Sequence, residues 1–276
     1  AMAEIELRDI PPGGSLGAPA LTPSPAIEPE GAVMSLIDHL SELRRRLFIS
    51  AVALVIGSAI GYVLGGTVQR LLTAPLHQQL QIITVGGGFF VQLKVAFIVG
   101  FAIALPVFLF ELWRFISPGL TSREREVARP WIPLACVFFA VGLVVAYFVL
   151  PFALAFLEGF TTPGVSVNAW TLESYFGFVT LLFLAFGVVM EFPMVLVLLV
   201  RLHVLPLDLL RRNRRYAILA IVIFAVIITP GGDPVSPTIM SITMYILYEL
   251  TIQLLTRSDR NAERAAADDA RRAGGG

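Results

Sequence analysis

Apolar residues gather in six runs along this chain, with the polar residues concentrated between them. The runs cover residues 47–64, 91–116, 131–150, 175–202, 216–229 and 237–256. A helix needs about 20 apolar residues to cross the hydrocarbon core of a bilayer. Most of the runs approach or exceed that length. The fifth, residues 216–229, is short, and the sixth is more polar than the rest. The pattern predicts an all-α integral membrane protein with six transmembrane helices. Pro106 is expected to kink the second helix, and Pro151 to close the third.

The stretch before the first run has a helical period of its own. Leu36, Leu40, Leu43 and Leu47 fall on one stripe, with His39, Glu42, Arg45 and Arg46 off it. This predicts an N-terminal amphipathic helix at the membrane surface that feeds the first span. Ser35 and Asp38 are spaced for an N-cap. Residues 1–33 are rich in Pro, Gly and small polar residues, which predicts a disordered tail with no secretory signal. Residues 34–257 then form the membrane unit. Residues 258–276 form a charged, Ala-rich C-terminal tail that extends the last helix.

Charge sets the orientation. Arg44, Arg45 and Arg46 precede the first run; Arg114, at the end of the second run, and Arg123, Arg125 and Arg129, before the third, form one cluster. Arg201, Arg211, Arg212, Arg214 and Arg215 lie between the fourth and fifth, and Arg257, Arg260 and Arg264 follow the sixth. The intervening loops hold only Arg70 and Lys94. Loops rich in Arg and Lys stay cytoplasmic, so both termini are expected inside. The exported side then carries two longer loops, 65–90 and 151–174, and a tight turn at 230–234. Gly86, Gly87 and Gly88 read as a flexible stretch, since no Lys-Ser/Thr follows them to make a phosphate loop.

Composition agrees with a membrane assignment. Of 276 residues, 57% are hydrophobic and 14% charged, against about 25% charged in a soluble domain. Net charge is zero, which gives no basic field for nucleic acid.

Few residues carry candidate chemistry. Glu191 lies in the fourth run, roughly 15 Å of helix from Arg201. An acid at that depth faces protein or water and marks function by default. Pro193 beside it is expected to bend the helix. Glu42 is spaced to pair with Arg46, and Glu124 to complete a capping box with Thr121. Either acid could instead meet a cationic ligand at the cytoplasmic surface. His39, His77 and His203 have no ligand spacing, so no metal is expected. Cys136 reads as a small buried residue. No catalytic pair suggests an intramembrane protease. A proton-coupled solute transporter using Glu191 remains an alternative, although no inverted repeat supports it. Arg44-Arg45-Arg46-Leu47-Phe48 imitates a twin-arginine export signal, but a long apolar run and five further runs follow it.

Several motifs together resemble one family. His39-Leu40-Ser41-Glu42-Leu43-Arg44-Arg45-Arg46-Leu47 opens the pattern, and Ala74-Pro75-Leu76 follows the first span. Phe115-Ile116-Ser117-Pro118-Gly119-Leu120 with Glu124-Arg125 fills the first basic loop. Phe186-Gly187-Val188-Val189-Met190-Glu191-Phe192-Pro193 carries the intramembrane acid. Thr229-Pro230 with Asp233, then Met244-Tyr245-Ile246-Leu247-Tyr248-Glu249, complete the order. Over about residues 34–257 the chain resembles the TatC family, the multispanning subunit of the twin-arginine protein translocase.

The resemblance implies a non-enzymatic subunit of the bacterial cytoplasmic membrane, without cofactor, powered by the proton gradient. It implies that Glu42 and Glu124 receive the arginine pair of a signal peptide on folded cargo, with His39, Arg44, Phe115 and Arg125 beside them. It implies that Glu191, in a concave groove, meets single-span TatA-like and TatB-like partners, with Pro193, Asp233, Tyr248 and Glu249 in the same polar system. Other copies of the chain are further implied partners. Pro75, Pro106, Pro118 and Gly119 take structural roles. Two positions depart from the family: Pro237 stands where Gln is frequent, and Thr171, with Glu173 nearby, where an acid is frequent. The short fifth span fits the family.

Overall fold

A computed structural model describes residues 36–76, 78–119, 125, 131–160, 170–202 and 204–274. The first helix, α1 (Leu36–Thr73), runs unbroken through the amphipathic stretch and the first apolar run. No Gly or Pro interrupts residues 36–56, so the expected surface helix is the opening turns of α1 rather than a separate element. Ser35, the expected cap, lies outside the described residues. Pro75 sits in the turn after α1, where the Leu76 N–H donates to the Thr73 carbonyl at 2.9 Å.

Helix α2 (Gly87–Ile116) starts earlier than its apolar run. Gly86, at φ 81°, turns the chain into it through the left-handed region that glycine favours. Gly87 is buried, and a Cβ there would run into the Glu173 carboxylate. Glu173 also accepts from the Thr84 hydroxyl. The glycine stretch expected to be flexible is therefore a packed entry to α2. The helix passes Pro106 without ending. Pro118 and Gly119 follow in a short 3-10 turn, Ser117–Gly119.

Of two prolines expected to disturb helices, Pro151 does not and Pro193 does. Helix α3 (Trp131–Glu158) continues through Pro151, which does not close it. Proline forfeits one backbone bond there, while the next residues bury Ala153 and Leu154 in the core. The fourth run divides into α4 (Leu172–Val189) and α5 (Phe192–Arg201). Pro193 has no N–H to offer the Val189 carbonyl, and the break falls at Met190 and Glu191. The chain closes with α6 (Leu207–Arg212), α7 (Arg214–Ile228) and α8 (Val235–Gly274).

Among the described residues, five segments are long and apolar enough to cross a membrane: His39–Thr73, Gly87–Gly119, Ile132–Glu158, Leu172–Arg201 and Val235–Ser258. Helix α7 has 15 residues, about 22 Å of helix, less than the ~30 Å core. Many large apolar side chains of α1 are exposed, among them Phe48, Val55 and Val63, as a lipid-facing helix requires.

The core centres on α4, whose Tyr175, Phe176, Val179 and Leu182 are fully buried against α2, α3 and α8 residues such as Val91, Leu150 and Met240. The Tyr175 hydroxyl donates to the Leu72 carbonyl at 2.6 Å, which ties the end of α1 to α4. Among the described residues the one extended pairing is a parallel bridge between Gln81 and Thr171. Thr171 also caps α4, accepting from the Ser174 N–H at 3.2 Å.

Candidate functional site

Helix α1 packs chiefly on α2, and small residues set how closely. Gly57, Gly61 and Gly65 recur every four residues, a spacing that puts them on one helical face. Gly57 meets the Gly100 carbonyl, Gly61 the Ala96 carbonyl and Gly65 the Gln92 side chain; a Cβ at any of the three would collide. Small residues at this spacing let helix backbones approach closely. The two helices run antiparallel along this seam. Continued eleven residues beyond Gly57 and Gly100, the same register brings Arg46 opposite Glu111.

Arg46 there joins two carboxylates. Its Nη1 donates to Glu111 Oε2 at 2.9 Å. Its Nε, at 3.1 Å, and its Nη2 both donate to Glu42 Oε1. The pairing of Glu42 with Arg46 that the spacing suggested thus forms, with a third member added. The side chains of Arg46 and Glu111 are 15% and 7% exposed. Arg114 lies 3.9 Å from the other Glu111 oxygen and stacks its guanidinium over the Phe110 ring. Glu42 Oε2 is buried and has no hydrogen-bond partner among the described residues. These side chains, with Ser41, Arg45 and Ile49, wall a cavity of about 350 Å³.

Glu111 is the residue that sequence reasoning missed. A signal was present: it is the one acid within residues 91–116 and stands three before Arg114. A lone acid in an apolar run is expected to have a partner inside the protein.

Other residues expected at this end fall nearby or elsewhere. His39 stacks on Phe115, ring centroids 4.4 Å apart at 21°. Arg44 is exposed. Arg125 is exposed and donates to the Ser117 carbonyl at 2.9 Å. Glu124 and Thr121 lie outside the described residues, as do His77 and His203.

A second polar centre lies at Glu191. Just before it, α3 and α4 make a close approach: Gly142 lies against the Phe186 carbonyl and Gly187 against the Phe139 ring. Glu191 follows at the helix break as the N-cap residue of α5, and its side chain makes no capping hydrogen bond. Both its carboxylate oxygens are buried and without a hydrogen-bond partner among the described residues. Pro193 is buried in the first turn of α5. An apolar recess of about 750 Å³ opens between α1, α2, α3 and α4, walled by residues including Val68, Val99, Phe139 and Thr180. Cys136 also lines it and is half-buried rather than buried. Glu191 is not among the residues that wall this recess.

The remaining polar residues each make a contact within the fold, although Asp233 Oδ2 and Glu249 Oε2 are, like Glu42 Oε2, buried without a hydrogen-bond partner among the described residues. Asp233 is buried, and its Oδ1 accepts from the Ser236 N–H at 2.7 Å, at the start of α8. Gly231 and Gly232, at φ 94° and 68°, make the turn before it. The Tyr248 hydroxyl donates to the Leu210 carbonyl at 2.7 Å. Glu249 pairs with Arg214 at 3.2 Å. Asp233 is thus far from Tyr248 and Glu249 along α8, and the three do not form one cluster. Pro237 lines a groove between α7 and α8 with Thr229, Asp233 and Ser241.

Comparison with known proteins adds independent support. Residues 38–242 match the family model described as Sec-independent protein translocase protein (TatC). A Sec-independent protein translocase protein TatC from Carboxydothermus hydrogenoformans is 36% identical over 227 residues, covering 81% of this chain and 93% of that one. The Escherichia coli K12 TatC is 34% identical over 224 residues, covering 79% and 86%. A crystal structure of a twin arginine translocase receptor, TatC, in the detergent DDM superposes with a TM-score of 0.67 at 35% identity, covering 78% of this chain and 98% of that one. Helices fit to cross a bilayer, an ordered set of motifs and these matches agree: the chain belongs to the TatC family of Sec-independent protein translocase proteins, multi-pass membrane components of twin-arginine protein transport.

Proposed function

We propose that this chain is the signal-peptide receptor of its translocase. Glu42 and Glu124 receive the paired arginines of a signal peptide on folded cargo, with His39, Arg44, Phe115 and Arg125 around them. Glu191 serves a later step, offering a carboxylate to single-span TatA-like and TatB-like partners. In this reading α7 is the sixth crossing, both termini are cytoplasmic, and export draws on the proton gradient across the bacterial inner membrane.

The observation that carries the reading is the state of Glu42. It ends in a polar cavity with one carboxylate oxygen buried and unpartnered. A carboxylate accepts a guanidinium as a two-bond fork, which a lysine cannot supply. The absence of a partner for Glu191 supports its assignment to a second helix in the same way.

Photocrosslinking from a reactive group carried by a twin-arginine peptide beside its arginine pair tests this. The parent protein should be captured, and Glu42→Gln or Glu124→Lys should abolish capture while the protein stays in the membrane. Undiminished capture by both variants would overturn the receptor role.

A further inference from the structure

We infer that Glu111 is a positioning residue of the peptide-binding patch: it holds Arg46 so that Glu42 can exchange that arginine for one from the peptide. The inference rests on the reading of Glu42 above. It adds a residue that lies outside the motifs by which the chain resembles its family.

The geometry supplies the steps. Arg46 spends Nε and Nη2 on one oxygen of Glu42 and Nη1 on Glu111. The other Glu42 oxygen is buried and unpartnered among the described residues, and the Glu42 side chain is part of the cavity wall. Once the carboxylate turns to expose Oε2, an incoming guanidinium can bond that oxygen first without displacing Arg46. To complete its fork it needs Oε1, which Arg46 occupies. Two guanidinium groups repel, so Arg46 must withdraw. Withdrawal would ordinarily strand a charge that is 15% exposed, and a buried charge without a partner is strongly disfavoured. Glu111 removes that obstacle. Arg46 stays paired through Nη1, and Glu111 keeps both Arg46 and Arg114 beside it. Neither the resident arginine nor either carboxylate is left alone during the exchange.

Binding of a fluorescent twin-arginine peptide to the full-length protein in nanodiscs tests the idea. Glu111→Gln leaves Arg46 with Glu42 as its sole charged partner, so the peptide should bind about tenfold more weakly, the worth of one hydrogen bond to a charged group. Adding Arg46→Gln removes the competitor. The double variant should then bind within about twofold of the parent, the tolerance expected when no further coupling remains. A structural role alone would give no such rescue. Parental binding by Glu111→Gln, or a double variant as weak as the single, would overturn the inference. If the single variant does not accumulate, the double carries the test: tight binding supports the exchange, and lost binding overturns it. Glu42→Gln separates the two levels. If it binds normally, the receptor reading falls and this inference with it. If it loses binding while the double shows no rescue, the role of Glu111 falls alone.

Discussion

Arg46 of α1 donates to Glu111 of α2 at 2.9 Å, and glycine contacts more than two turns away decide that they meet. The contact needs the helix axes close together. Gly57 against Gly100 and Gly61 against Ala96 bring the backbones to that separation. Packing in the apolar part of α1 therefore prepares the polar chemistry at its start.

Gly61→Leu should damage that packing. The new side chain would collide with the Ala96 carbonyl, which as backbone cannot step aside. Overpacking of this kind costs about 1–3 kcal/mol. The expected outcome is a lower thermal midpoint in detergent, together with weaker peptide capture. An unchanged midpoint would show that α1 and α2 can separate freely.

Tyr175→Phe isolates one buried bond. Its hydroxyl donates to Leu72 at the far end of α1, away from the arginine cluster. Losing the donor leaves a buried carbonyl short of a partner, at a cost of about 1–2 kcal/mol. Thermal unfolding should register that loss, while peptide binding stays at the parental level. A binding defect without a stability defect would contradict the separation of the two regions.

Glu191→Gln is predicted to fold at least as stably as the parent, since the carboxylate has no hydrogen-bond partner to lose. Glu191→Ala should retain peptide capture yet reduce co-purification of the single-span partners several-fold. Partner recovery equal to the parent would remove Glu191 from the assembly surface.

Asp233→Ala removes a buried helix cap, for which about 1 kcal/mol of destabilisation is expected. Asp233→Asn keeps an acceptor for the Ser236 N–H and should recover most of it. If both variants lower the thermal midpoint equally, the charge of Asp233 matters beyond capping.

The sequence made the apolar elements readable because a membrane span is a property of local composition. Their ends were harder. Pro151 and Pro193 are chemically the same signal, yet α3 passes through one and the α4–α5 boundary falls at the other. The difference lies in surroundings that local reading does not see. After Pro151 the chain gains buried contacts at Ala153 and Leu154, and before Pro193 the Gly142–Phe186 approach pins α4. At the candidate site, Glu42 and its Arg46 partner were legible from spacing within one helix. Glu111 was not, because its main partner is 65 residues away and an apolar run surrounds it. The partners of Tyr248 and Asp233 were hidden for the same reason: a carbonyl on α6 and a backbone amide in the first turn of α8 leave no trace in side-chain pattern.

The seam between α1 and α2 also acts as a ruler. An α-helix turns about 100° per residue. One residue inserted between Arg46 and Gly57 would leave the glycines seated and swing Arg46 about a quarter-turn off Glu111. The error would be one of phase, and no choice of side chain at position 46 could correct it. The number of residues separating the glycines from the arginine is thus as much a component of this site as the charges themselves. Substitutions along that stretch should be borne far better than any change in its length.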